Sequence, residues 1–520
     1  MKKVVLYIFM AVVVCGCEKI GPGSSAHARC DICVYGATSG GVIAAYTAKS
    51  LGKDVILIEP GTRIGGLSSG GLGQTDIGSL KVIQGLSLDF YRRIGAEYGK
   101  SEPVYQFEPH VALKVFQSYL DEAGISVRYN HRICSAEKEK NRVKSITLED
   151  TAGGKCIKIK AKVFIDCSYE GDLMAKAGIS YTVGRESNAQ YGETLNGVQM
   201  LTGHQFPDGV DPYVVKGDPS SGLLYGILPG RMGSKGEGDK SVQAYNFRIT
   251  LTDKEENMIP ITEPENYDPS KYELMLRLIE VAGYNNLNQL FIWSRMPGNK
   301  TDINNRNGFS TDMIGANWNY PNGDYKTREK IFKDHLDYTK GMLYFVGHDE
   351  RMPLSIRKQM ASWGYPRDEY QEYGHFTPQL YIRESRRMVG RMVMTQDYCA
   401  LRKVANDPVG WAAYNMDSHN CGRYVVNGMV KNEGNVEVAP KGVYNISYRA
   451  ITPKEEEADN VIVTFCLSAS HIAFGSIRME PVLMVLSESA AIAACDAIDK
   501  HKSNVQSVDA LDIMNIFNKL

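Results

Sequence analysis

The chain reads as an α/β protein: a parallel sheet that carries a β-meander, interrupted by a looser α+β segment. Three observations predict this. Residues 31–60 (DICVYGATSGGVIAAYTAKSLGKDVILIEP) run as apolar strand, glycine turn, alanine-rich helix and second apolar strand. Residues 125–167 hold three β-rich runs separated by turn residues. After Asn460, an apolar strand (VIVTFCLSAS) and an alanine-rich helix (EPVLMVLSESAAIAACDAI) bring back the opening pattern.

Taken in order, residues 1–17 predict an export signal. Lys2 and Lys3 precede an apolar run, Val4 to Val14, too short to span a bilayer as a mature helix. Val14-Cys15-Gly16-Cys17 resembles a bacterial lipobox, which makes Cys17 a lipidated first residue and residues 18–30 a flexible tether. An ordinary signal cut near Ala26 or Ala28 is the alternative. Both place the protein outside the cytoplasm, in the periplasm or held to a membrane by the lipid. Cys30 and Cys33 form a C-x-x-C at the start of a strand, where packing disfavours a redox or metal pair. No four-cysteine spacing suits an iron–sulfur centre, and no metal site is expected.

In the first unit, Gly36, Thr38 and Gly41 stand where a dinucleotide turn has three glycines, and Glu59 ends the second strand about 20 residues on. Such a turn sets a pyrophosphate at a helix N-terminus, where free N–H groups and the helix dipole favour an anion. Gly65 and Gly66 then allow backbone to approach a bulky group closely. Residues 107–123 are helical by periodicity and stop at Gly124. The meander feeds a buried strand, Val163 to Asp166, followed by Ser168-Tyr169-Glu170-Gly171-Asp172. That turn is either a second ligand contact or a helix cap.

Residues 187–450 change character, being rich in Tyr, Asn, Gly and Pro with few long periodic runs. The expected organisation is a cofactor domain in two pieces, 31–186 and 451–520, around a substrate domain at 187–450. A chain of 520 residues with 43% hydrophobic content supports two or three domains. Its 59 basic and 60 acidic residues give no electrostatic case for nucleic acid. Thirty tyrosines suit polar, ring-shaped ligands; ordinary half-buried aromatics are the alternative.

GATSGG, EP-x-x-R-x-GG, IDCSYEGDL, GRES, QLYIRESRRMVG and SASHIAFGSIRMEP follow one another along the chain. Together they resemble the FAD-dependent oxidoreductase family common among secreted lipoproteins, over roughly residues 31–500. The resemblance implies a Rossmann-type FAD-binding domain with FAD extended across it. Gly36, Thr38, Gly40 and Gly41 would surround the pyrophosphate, Glu59 the adenosine ribose, and Gly65 and Gly66 the ribitol or isoalloxazine edge. Ile133 would touch adenine through its backbone, and Ser168 would make the second contact. Thr38 departs from the strict glycine pattern.

For the chemistry, Pro481 suits the first turn of a helix whose N-terminus would stabilise negative charge on a reduced ring. Arg478, just before it, reinforces that effect, binds substrate or pairs with Glu480. Oxidation of an alcohol needs a base, and His471 in the C-terminal motif is the first choice, followed by His375 and His419. Arg383 and Arg387, four apart, would share a helical face and hold a carboxylate or polyol; a structural ion network is the alternative. Arg185, Glu186, Asp302 and Asn304 have open roles. The leading reading is an exported FAD-dependent oxidoreductase of a small polar substrate, a sugar or sugar-derived acid, by hydride transfer to or from flavin N5. Reduction of an activated double bond, and a flavin-fold lipoprotein that binds glycan without turnover, stay open. The electron acceptor is unknown.

Overall fold

The computed structural model describes residues 26–154 and 156–520; the expected signal, the lipobox with Cys17 and most of the tether lie outside them. β1 (Ala26–Tyr35), α1 (Ser39–Ser50) and β2 (Val55–Ile58) form the expected crossover. Alternation along β1 sends Ile32 and Val34 to one face and Cys33 and Tyr35 to the other, and all four are fully buried. The strand begins earlier than expected. Ala26 to Cys30 pair with Ile157 to Ala161, so residues 26–30 belong to the sheet rather than to a tether. The long partner strand explains this, because its edge there would otherwise lack hydrogen bonds.

α2 (Gly66–Ser69) follows the second glycine loop. α3 (Pro109–Ala123) has proline in its first turn and ends at Gly124, whose φ of 62° is left-handed. Then come β3 (Val127–Arg128), β4 (His131–Glu139), β5 (Arg142–Asp150) and β6 (Cys156–Asp166). The sheet order is β3-β2-β1-β6-β5-β4, parallel from β3 to β6 and antiparallel through the meander. β6 changes partner along its length. Ile157 to Ile159 pair with β5, whereas Phe164 to Asp166 pair in parallel with β7 (Val461–Val463).

α4 (Tyr325–His348), α5 (His471–Ile477) and α6 (Glu480–Lys500) complete the elements that matter for the site. α6 is long and apolar enough to cross a membrane, yet 94% of its apolar window is buried, as in a core helix. It packs on α1 because the contact is made by small residues. A Cβ on Gly40 would lie 2.3 Å from Ser487 Oγ and 2.7 Å from the Phe465 ring.

A second core lies within the inserted segment, around Phe206, Tyr245, Phe247, Ile303, Tyr338 and Phe345. α4 runs through it for 24 residues, where the sequence predicts few long elements. Its buried stripe mixes Arg328, His335 and Thr339 with Ile331, Tyr338 and Met342, which hides the apolar period. The QLYIRESRRMVG stretch is also different from expectation. Leu380–Tyr381 and Arg387–Met388 are short strands joined by irregular chain, so Arg383 and Arg387 do not share a helical face.

Candidate functional site

The first turn of α1 leaves the N–H groups of Ser39 and Gly40 without an acceptor among the described residues, and both residues are buried. Thr38 caps the helix: its hydroxyl accepts from Gly41 N–H at 3.2 Å and donates to the Cys167 carbonyl at 2.9 Å. That bond explains threonine in place of glycine and commits the side chain to the fold. Gly36 has φ 91°, and a Cβ there would sit 2.9 Å from the Cys167 and Ser168 backbone. In the second loop Gly65 and Gly66 have φ 86° and 52°, and Gly65 N–H donates to the Ala37 carbonyl at 2.8 Å. The two loops are therefore tied together. The Glu59 carboxylate accepts from Ala37 N–H at 2.9 Å and Gly61 N–H at 2.8 Å, bracing the turn.

Glu480, at the start of α6, reaches into this junction. Its carboxyl accepts from the hydroxyls of Ser39, of Tyr169 at 2.8 Å and of Ser68 at 3.4 Å, while Tyr169 Oη accepts from Leu67 N–H at 2.8 Å. Burial pushes the Glu480 carboxyl up to about 7, against the pull of these hydrogen bonds.

Two expected contacts are corrected. Ile133 donates its N–H to Tyr35 Oη at 3.1 Å, which commits the donor a base would use, and its carbonyl already accepts from Tyr325 Oη at 2.8 Å. Ser168 Oγ donates to Asp166 at 2.6 Å and accepts from Gly171 N–H at 3.1 Å, which is the capping alternative.

The first-choice base is corrected too. His471 is 2% exposed; its Nδ1 lies 2.7 Å from Glu384 Oε2, and its backbone N–H donates to Glu186 at 2.9 Å. Burial, then Arg387 and Arg185, drive its pKa down to about 3. It lines neither the cleft nor the polar cavity described below, and it belongs to a buried ion cluster. Arg387 belongs to the same cluster: it donates to the carbonyls of Ala469 and Gly184 and pairs with Glu186 and Glu384. The ion-network alternative therefore describes Arg387. Arg185 pairs with Asp239 and Glu433, and His375 Nδ1 lies 3.2 Å from the Glu369 carbonyl.

Arg383 and Arg478 stand elsewhere. Arg383 pairs with Asp312 at 3.0 Å; Arg478 donates to Tyr381 Oη and to Asp417, both at 2.9 Å, and not to Glu480. Their guanidinium groups lie 4.8 and 5.6 Å from the Tyr381 ring centre. Both line a narrow apolar cleft with Leu67, Tyr169, Phe465 and Phe474, beside the glycine loops. Each has a buried Nε that meets no acceptor among the described residues.

Across Tyr381 lies a polar cavity of about 140 Å³, lined by Asp76, His204, Arg248, Tyr414, Asp417 and His419 among others. His419, the third histidine considered, is 8% exposed, with Nδ1 2.6 Å from Asp312 Oδ2. A carboxylate only accepts, so Nδ1 carries the proton and Nε2 keeps a lone pair. Nε2 is 3.9 Å from Asp417 Oδ2, and the ring stacks on His204 at 5.8 Å. Burial, then Arg383, hold the His419 pKa below the usual histidine range, so the ring is neutral near pH 7. Burial opposes charge on Asp312 as well, but Arg383 and His419 outweigh it and keep the carboxyl ionised. The wall is rigid: a Cβ on Gly475 of α5 would lie 2.3 Å from the Asp417 carbonyl, so the helix rests directly on the Met416–Ser418 strand.

Asp312, Asp417, Asp76, Arg248 and Tyr381 escape sequence reasoning. One local signal exists: in NMDSHNC, Asp417 and His419 are two apart, the spacing of one strand face. Asp302, whose role the sequence leaves open, is fully buried and paired with Arg248.

Residues 31–520 match the sequence model of a family described as FAD dependent oxidoreductase. No curated protein matches the sequence. Among solved structures, the chain is similar to the myxobacterial chondrochloren halogenase CndH, an FAD-dependent halogenase, at 16% identity over 27% of this chain and 37% of that one, TM-score 0.23. It is similar to OxyS anhydrotetracycline hydroxylase from Streptomyces rimosus at 12% identity, over 34% of this chain and 36% of that one, TM-score 0.25. Thermovibrio ammonificans THI4 is similar at 20% identity, over 32% of this chain and 71% of that one, TM-score 0.24. The chain thus spans just over a third of the length of the first two, and such local likenesses carry nothing about substrate.

The donors at the loop junction fit an FAD diphosphate: two orphan helix N–H groups and the Ser39 and Ser68 hydroxyls. Glu480 takes the hydroxyls now, and above pH 7 its charge opposes a diphosphate. Glu480→Gln should therefore bind FAD about tenfold more tightly at pH 8 and near wild-type strength at pH 6. Fluorescence titration at the two pH values reads this directly, and equal gains at both would contradict it.

Proposed function

Because the chain belongs to the FAD dependent oxidoreductase family, we propose that it oxidises an alcohol of a small polar molecule, a sugar or sugar derivative, outside the cytoplasm. One observation carries the reading: a neutral histidine, oriented by a buried carboxylate, faces a small polar cavity that shares Tyr381 with the cleft beside the glycine loops. Bound FAD supplies hydride exchange at N5. His419 takes the hydroxyl proton at Nε2 as the C–H bond breaks, or returns it in the reverse direction. Asp312 holds the imidazole in the required tautomer and stabilises the imidazolium. Arg383 and Arg478 place two positive charges, with unmet Nε–H groups, beside the cleft where the flavin would gain charge.

Anaerobic mixing of FAD-loaded protein with hexoses, pentoses and polyols tests this. Saturable bleaching of the flavin is expected with at least one. No bleaching across the panel would leave the glycan-binding alternative standing.

Export is supported by Lys2, Lys3, the Val4–Val14 run and Cys17. A lipid anchor there predicts that labelled palmitate marks the wild-type protein and not Cys17→Ser. Equal labelling of both would contradict it.

A further inference from the structure

Three carboxylates face the polar cavity: Asp76, Asp417 and Glu437. Two have cations of their own. Asp417 pairs with Arg478 at 2.9 Å, and Glu437 with His204 Nε2 at 3.0 Å. Asp76 has none. The cavity's guanidinium, Arg248, is committed to the fully buried Asp302 through bonds of 2.7 and 2.8 Å. Asp76 Oδ2 lies 3.6 Å from Arg248 Nη1, outside hydrogen-bond reach, and Tyr414 Oη donates to its other oxygen at 3.4 Å. Arg248 is 3% exposed, and its Nη1 meets no acceptor among the described residues. An unmet donor therefore stands beside an acceptor with charge to spare.

Resting on the function proposed above, we infer that this cavity selects a neutral polyol or monosaccharide and rejects acids, with Asp76 and Arg248 reading a hydroxyl that does not react. A hydroxyl on the cavity side is the group that suits this pair, since one oxygen can accept from Arg248 Nη1–H and donate to Asp76. A carboxylate satisfies Arg248 but cannot donate, and it brings a second negative charge against Asp76 where desolvation strengthens the repulsion. The reacting hydroxyl is a different one, because it must donate to His419 Nε2. Two hydroxyls in separate places make the ligand a diol at least. Asn304 and Tyr414, neutral donors and acceptors on the same wall, suit further hydroxyls. The volume of about 140 Å³ limits the enclosed part to a compact molecule.

The test is calorimetry on FAD-loaded protein, under anaerobic conditions, with matched hexose, hexitol and hexuronate series. The expected result is at least about tenfold tighter binding of a neutral member than of its uronate at pH 7. Asp76→Asn should weaken the neutral ligand about tenfold and bring the ratio to within about threefold. Asp76 is half-buried in a loop, and a thermal midpoint equal to wild type confirms that the variant folds. Uronates binding as well as neutral sugars, or a ratio unchanged in Asp76→Asn, would overturn the inference while leaving the oxidoreductase reading intact. Failure of every series to bind would remove both.

Discussion

Replacing His419 by glutamine should leave FAD bound and lower the rate of substrate-driven flavin reduction about 10²- to 10⁴-fold, the usual contribution of a positioned general base. Glutamine keeps a donor toward Asp312 but offers no basic nitrogen to the cavity. The effect should fall on the reduction step more than on substrate affinity, because the proton moves only as the C–H bond breaks. Stopped-flow reduction at saturating substrate separates the two. His471→Gln is the contrasting variant: it removes a buried cluster member, so it should lower the thermal midpoint, with any loss of rate tracking loss of folded protein. Similar rate losses in the two variants at equal folded fraction would return His471 to the site.

Gly41→Ala should be the most damaging single methyl group in the chain's first unit. A Cβ there would lie 1.8 Å from the Gly36 carbonyl oxygen and 2.9 Å from its carbon. Both are backbone atoms, so no side chain can swing aside. Overpacking of this kind costs about 3 kcal/mol or more, which lowers the thermal midpoint by roughly 6–12 °C for a cooperative unit the size of the cofactor domain. FAD affinity should fall with it, since the displaced turn carries the Ser39 and Gly40 N–H groups. Thermal unfolding with and without FAD reads both effects. A midpoint within 2 °C of wild type (about 1 kcal/mol or less) would show that the turn relaxes more easily than its packing implies.

The elements legible in the sequence are those whose cause is local. The 31–60 unit is written in a period change from two to 3.6 around glycines, and α3 in its own periodicity and the glycine at its end. The meander follows from its turns. The chemistry of the candidate site is not local. His419 and its partner Asp312 are 107 residues apart, and Arg248 and Asp302 are 54 apart, so no spacing announces either pair. His471 drew attention because it sits in a long motif, but that motif builds the packing of α5 and an ion cluster. Arg383 and Arg387 misled for a related reason. Charges four apart suggest a helix, whereas here each arginine is drawn to a different distant carboxylate, Asp312 and Glu186. Serine and threonine at a turn do not declare in the sequence whether they bind a ligand or cap their own chain. Thr38 and Ser168 cap their own turns, while Ser39, unremarked in the sequence, faces Glu480.

Acid stability follows from the same buried rings. His471 and His335 have pKa values lowered to about 3 and about 4 in the fold, against an ordinary 6.5. The unfolded chain then binds more protons, so stability present above pH 6.5 is lost progressively as pH falls toward those values.

The pH dependence of the flavin-reduction rate, in wild type and His419→Gln, bears most directly on the proposed base. A base must be neutral to act, and the fold holds His419 below the ordinary histidine value, so the midpoint of the wild-type acid limb should lie below pH 6.5. That acid limb should be absent in His419→Gln, over a rate reduced throughout. An acid limb that persists unchanged in the variant, at an undiminished rate, would contradict the assignment of His419 and Asp312 as the proton-accepting pair.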